Sequence, residues 1–133
     1  MYRVLDGFVP LLGRVLIALL FVPSGLHKLG AYHETVGHIA HQGLPLPAVG
    51  YLIAVAAELP LALMLLVGLW TRPAAALLAL YTLATAVFFH DHLAEQMQAI
   101  NFFKNLAIAG GLLFAVSHGA GSWSVDRLLA KRR

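Results

Sequence analysis

Long apolar stretches dominate this chain, and the charges that interrupt them are few. From Gly7 to Leu26 the one charge is Arg14, and from Gly43 to Trp70 it is Glu58. From Pro73 to Phe89 there is none, and from Asn105 to Ser117 none again. A helix rising about 1.5 Å per residue needs roughly 20 residues to cross about 30 Å of hydrocarbon. The pattern therefore predicts four transmembrane helices near residues 8–28, 47–69, 73–90 and 100–118, with a tail over 119–133. Strands fit poorly, because the apolar runs lack alternation and are too long for barrel strands. Between the first two spans, Tyr32, Val36 and Ile39 recur at helical spacing opposite Glu34, His38 and His41. That segment reads as a short amphipathic surface helix, ended by Gly43 and the Pro45/Pro47 pair. Pro73 is expected at the first helical position of the third span, and Ser122 or Ser124 at the cap of a last amphipathic turn. The fold class is all-α: one membrane domain over 1–133, a four-helix bundle with a surface helix on its outer side.

Composition fixes the solvent. Apolar residues make up 60% and charged residues 11% of the 133 positions, against roughly 45–50% and 25% in soluble domains. So short a chain cannot hide that much apolar surface from water. The lipid bilayer is the expected partner, and a nucleic-acid partner is not: the net charge of +3 comes mostly from the tail residues Arg127, Lys131, Arg132 and Arg133. With no cysteine, the chain forms no disulfide or thiolate metal site. No haem-ligand spacing or nucleotide motif is present either.

With four spans, Arg3, Arg72 and the four basic tail residues fall on one side, and Lys28 and Lys104 on the other. The positive-inside rule then puts both termini in the cytoplasm. His27, His33, His38, His41, His90 and His92 lie on the outer side with Glu34, Asp91 and Glu95. Tyr2, Trp70 and Trp123 suit the cytoplasmic interface, and Tyr32 and Phe102 the outer one. No small-x-small cleavage site follows the first span, so it is read as a span and not as a signal peptide.

The polar positions inside the spans carry the candidate chemistry. Arg14 and Glu58 are expected at similar depths on antiparallel helices. An isolated charge there costs at least about 2.5–3.5 kcal/mol, so an Arg14–Glu58 ion pair is predicted, either a structural clamp or a proton-handling pair. On the first span, Ala18, Phe21, Gly25 and Lys28 continue the Arg14 stripe, and Tyr51 and Ala54 lead to Glu58 on the second. Thr82, Thr85, Phe89 and His92 align on the third, and Asn101, Lys104, Asn105 and Ile108 on the fourth. Four such faces should converge away from lipid. The prediction is a pocket opening outward, lined by Lys28, Tyr51, His92, Asn101, Lys104 and Asn105, with Glu58 and Arg14 at its floor. Cations, amide donors and rings reachable from lipid suit an amphipathic molecule with two carbonyl oxygens, such as a quinone. Lys28 and Lys104 would steady charge on its oxygens, and Glu58 or a histidine would exchange protons. The plain alternative has both lysines snorkelling to headgroups. Glu34, His38 and His41 share a helical face, and His90 and His92 lie nearby, but that spacing is common on interfacial helices and no metal site is assigned.

Several segments resemble the DoxX family of small bacterial inner-membrane proteins. Gly13-Arg14-Val15-Leu16 and Phe21-Val22-Pro23-Ser24-Gly25-Leu26-His27-Lys28-Leu29 resemble its first span. Ala57-Glu58-Leu59-Pro60 and Gly68-Leu69-Trp70-Thr71-Arg72 are similar to its second. Phe88-Phe89-His90, Asn101-Phe102-Phe103-Lys104-Asn105-Leu106-Ala107 and Gly121-Ser122-Trp123-Ser124-Val125-Asp126-Arg127-Leu128 complete the match. Pro60 stands where family members often carry glycine, and should bend the second span just past Glu58. The resemblance implies a membrane subunit linked to quinone-dependent oxidation of sulfur compounds or to oxidative-stress complexes. It places Arg14, Lys28, Glu58, His90, Asn101, Lys104 and Asn105 on recurring polar positions. A complete oxidoreductase would need a partner redox protein. A small proton-coupled transporter and an assembly scaffold are the other readings. Small residues at Ala107, Gly110, Gly111 and Ala74–Ala79 would let helices approach within the bundle or between copies of a homo-oligomer.

Overall fold

A computed structural model describes residues 1–90 and 92–133; Asp91, expected on the outer side, lies outside the described residues. Four of its helices are long and apolar enough to cross a membrane: Tyr2–Leu29, Pro47–Val67, Thr71–Phe89 and Gln96–His118. Each answers one expected span. The surface helix is Tyr32–His41 and the tail helix Val125–Lys131. Of the two serines considered, Ser124 makes the tail-helix cap, its Oγ accepting the Arg127 N–H at 3.2 Å. Both termini lie at one end of the bundle, called here the tail end; the surface helix lies at the other.

The third span starts at Thr71, so Pro73 is inside the first turn and not at its first position. The reason is tertiary. Asp126 of the tail accepts the backbone N–H groups of Trp70 at 2.7 Å and Thr71 at 2.9 Å. Those two donors have no partner within the helix, and with an acceptor supplied the helix begins earlier than its proline alone would set it.

Proline shapes the second span as well. Pro60 has no N–H to donate, and a π-helical turn at Ala57–Leu61 surrounds it. Glu58 sits on that turn. The span closes on Gly68, whose φ of +75° is a left-handed cap. Gly68 N–H reaches Leu65 C=O at 3.2 Å and Leu69 N–H reaches Met64 C=O at 2.9 Å, which satisfies two orphan carbonyls.

The core is built from Phe21, Leu65, Leu78 and Leu112 with Ala57, Ala62, Ala75 and Ala79 between them. Packing runs in chain order, first span on second, second on third, and third on fourth, while the first and fourth make little direct contact. They meet where Ile17 Cδ1 would lie 3.9 Å from a Cβ on Gly111. The bundle is thus an arc with an open seam, and the fourth span buries only Ala109 and Leu112 among its residues.

Two glycines set the register of the first span. A Cβ on Gly25 would fall 2.7 Å from Leu59 Cγ and 3.0 Å from Glu58 Cβ, and one on Gly7 would fall 2.5 Å from the Trp123 ring. At Gly68 a Cβ would lie 2.5 Å from Ser124 Cβ and 2.8 Å from Arg14 Nη1. By contrast, nothing lies within 4 Å of such an atom on Gly13 or Gly110. Gly68→Ala and Gly25→Val are therefore expected to lower stability by about 1–3 kcal/mol each, whereas Gly110→Ala should be neutral or stabilise by up to about 1 kcal/mol. Reversible unfolding in mixed micelles measures this; equal effects of all three substitutions would contradict the assigned close approaches.

Candidate functional site

Arg14 and Glu58 are both buried, at 4% and 6% exposure, but they do not meet. The expected ion pair is replaced by two separate sites. Gly25 against Leu59 fixes the register, and Arg14 lies eleven positions below Gly25, about 16 Å along the helix. That is the depth of Leu65 and Leu66, past Glu58 toward the tail end.

At the tail end, Arg14 Nη1 donates to Leu66 C=O at 2.7 Å and to Leu65 C=O at 3.4 Å, and Nη2 donates to Trp123 C=O. The second span ends at Val67, so Arg14 caps its last carbonyls from outside and neutralises the negative end of its dipole. The tail is held there by Ser122 N–H to Asp6 C=O at 3.0 Å and Asp126 N–H to Gly68 C=O at 2.8 Å. Burial pushes the Asp126 carboxyl up, but hydrogen bonds from Thr71 and Trp70 and the Arg14 charge outweigh it and hold its pKa below the usual 3.8. This is a structural junction, and it removes Arg14 from the proton-handling role expected for it.

At the other end, the partner of Glu58 is Lys28. Lys28 Nζ lies 2.9 Å from Glu58 Oε2 and 3.1 Å from Oε1. Ser24 Oγ accepts from Lys28 at 3.0 Å and donates to Glu58 Oε1 at 3.1 Å, closing a three-membered network. The Tyr81 hydroxyl of the third span lies beside the Glu58 carboxylate. One helical turn separates Ser24 from Lys28, so both reach down onto the π turn that carries Glu58. Lys28 turns inward instead of snorkelling to the headgroups.

Above this network opens a cavity of about 580 Å³, within the range of small-molecule sites. Lys28, Glu58, Lys104 and Asn105 line it, as the polar stripes predict, and so does His90, which the family resemblance places among the polar positions. Ser24, Thr35, His38, Tyr81, Thr82 and Thr85 also line it. Apolar walls come from Leu20, Phe21, Val49, Ile53, Phe88 and Phe89. The remaining predicted residues are elsewhere. Arg14 is at the tail end, and His92 and Asn101 do not reach the cavity. Tyr51 stands behind it, donating to Lys28 C=O at 3.1 Å and so capping the last turn of the first span. On the far wall, Asn105 Nδ2 donates to Thr85 Oγ1 at 3.2 Å, and Thr85 and Thr82 return their hydroxyls to Thr82 C=O and Leu78 C=O. His90 Nδ1 lies 2.9 Å from Gln98 Oε1, and the His38 ring stacks on Phe89 at 5.3 Å. Lys104 is exposed at the rim with no partner among the described residues.

Ser24 and Tyr81 were missed because each lies off the single stripe read on its span. The signal available was helical spacing: Ser24 is four residues before Lys28 on the same face. Tyr81 directly precedes Thr82, one position off the stripe read on that span.

These features define a small multi-pass membrane protein with an ionisable cluster under a cavity at one end. The chain belongs to the DoxX family, whose model matches residues 9–91. It is 38% identical to the inner membrane protein YphA of Escherichia coli K12 over 88% of this chain and 87% of that protein. It is 36% identical to the inner membrane protein YqjF of the same organism over 92% of each. No solved structure matches the chain significantly. It is accordingly a multi-pass protein of the inner membrane.

Two outcomes test the assignments. Lys28→Met or Glu58→Leu leaves one buried charge alone and should cost about 3 kcal/mol, with the double substitution costing less than either single one. Additive losses in reversible unfolding would show that the two side chains do not interact. Asp126→Asn should cost about 1 kcal/mol at neutral pH. Since the folded pKa of Asp126 lies below 3.8, the wild-type advantage is complete above that value and fades as pH falls through the folded pKa. Thermal unfolding across an acid series reads it; a gap that stays constant into strong acid would refute the carboxylate's role.

Proposed function

We propose that this protein binds a quinone-class ligand in the cavity above Lys28 and Glu58, as the membrane subunit of a redox system. The observation that carries this reading is the Lys28–Ser24–Glu58 network, with Tyr81 beside it, at the floor of a cavity with apolar walls and Lys104 at its rim. The residues fit such a ligand: cationic and hydroxyl donors for two carbonyl oxygens, and aromatic and aliphatic walls for a ring. A quinone when bound supplies two-electron, two-proton redox chemistry. Lys104 orients an oxygen by donating a hydrogen bond, and the half-buried ammonium of Lys28 favours negative charge nearby. Glu58 holds a proton-exchanging position, with Ser24 and Lys28 as its hydrogen-bonded relay. The apolar walls keep bulk water from the network. Electrons come from a partner redox protein, in line with the family expectation. Proton-coupled transport is less well supported, because Lys28 keeps Glu58 engaged within hydrogen-bond distance.

Titration of the purified protein with a short-tailed ubiquinone analogue tests this. Saturable binding should weaken about tenfold or more in Glu58→Gln, as expected for a charged hydrogen-bonded group, and to a smaller degree in Lys104→Ala. Affinity equal to wild type in both variants, or proton flux driven by another substrate with no quinone affinity, would overturn the proposal.

A further inference from the structure

A second cavity, of about 890 Å³, opens at the tail end along the seam between the first and fourth spans. Ile17 facing Gly111 divides it from the site above. Its lining changes character along the membrane normal. Toward the bundle middle it is hydrocarbon, from Ile17, Leu65, Phe114 and Ala115, with Gly13 leaving the groove unobstructed. At the mouth it is polar, with Asp6, His118, Ser122, Asp126 and Arg127. Arg72 lies next to the lining residue Gly119, its Nε 3.5 Å from where a Gly119 Cβ would be. Arg14 forms the inner wall at 4% exposure, and its Nε has no partner among the described residues.

A groove of this size facing lipid is filled by something, and water would find few partners on its apolar half. Electrostatics selects among the fillers. The tail end carries Arg3, Arg72, Arg127, Lys131, Arg132 and Arg133 against Asp6 and Asp126. Asp126 is already engaged by Trp70 and Thr71, and no carboxylate pairs with Arg72 or Arg127 among the described residues. A second copy would bring this cationic end against its like. A molecule with an apolar chain and an anionic head at the interface matches both halves of the groove. We propose that the groove is a binding site for one anionic phospholipid, one of its two acyl chains between Ile17 and Phe114 and its phosphate at Arg127, with Arg72 alongside. Such a lipid completes the open seam of the arc. It occupies a site independent of the quinone reading.

The test uses the full chain reconstituted in phosphatidylcholine nanodiscs containing a minor fraction of phosphatidylglycerol, released and weighed by native mass spectrometry. One phosphatidylglycerol per chain should be retained in preference to phosphatidylcholine. Arg127→Gln, at an exposed position, should lower that preference about fivefold, and Gly13→Leu should abolish retention while helicity and quinone-analogue binding persist. Should Gly13→Leu fail to fold, the arginine variant decides alone. Retention without headgroup preference, competition by soluble glycerol phosphate at equal potency, or a dimer closing the seam in place of lipid would each overturn the assignment.

Discussion

No charge placed within the hydrocarbon can face it unpaired, and that constraint organises the molecule. The first span carries Arg14 and Lys28 on one stripe, and each must find acceptors on a neighbour. Arg14 finds the carbonyls that end the second span, and Lys28 finds the carboxylate at that span's π turn. Together they pin the first two spans at two depths. Gly25 sets the spacing, because only a residue without a side chain lets Leu59 and Glu58 come so close.

The same solution recurs at other helix ends. A helix leaves its first donors and last acceptors unpaired, and in so apolar a chain water is a scarce partner for them. Tyr51 serves the end of the first span, Arg14 the end of the second and Asp126 the start of the third. Each cap comes from another element. The tail is thereby part of the bundle: its carboxylate begins the third span, and the Trp123 carbonyl receives Arg14.

This economy separates the two buried charges. Arg14 has its donors on backbone carbonyls at the tail end, away from the cavity. Glu58 is held by ammonium and hydroxyl groups beneath a ligand-sized space. A π turn at a proline gives that carboxylate its direction, and such turns often mark functional positions. The open seam leaves room for lipid where a closed bundle would bury alanine and glycine faces.

Residue order alone settled much. The spacing of Arg14, Glu58, Lys28 and Lys104 within apolar runs determined four spans, and periodicity picked the buried stripe of Ala18, Phe21 and Gly25 as well as cavity residues Lys28, Glu58, Lys104 and Asn105. Those are local facts, since a helix must hide whatever the hydrocarbon rejects. Which charge meets which is not local. It depends on the register between spans, and one helical turn moves a side chain by about 5.4 Å. Only the tertiary structure, through the contact of Gly25 with Leu59, gave Glu58 to Lys28 rather than to Arg14.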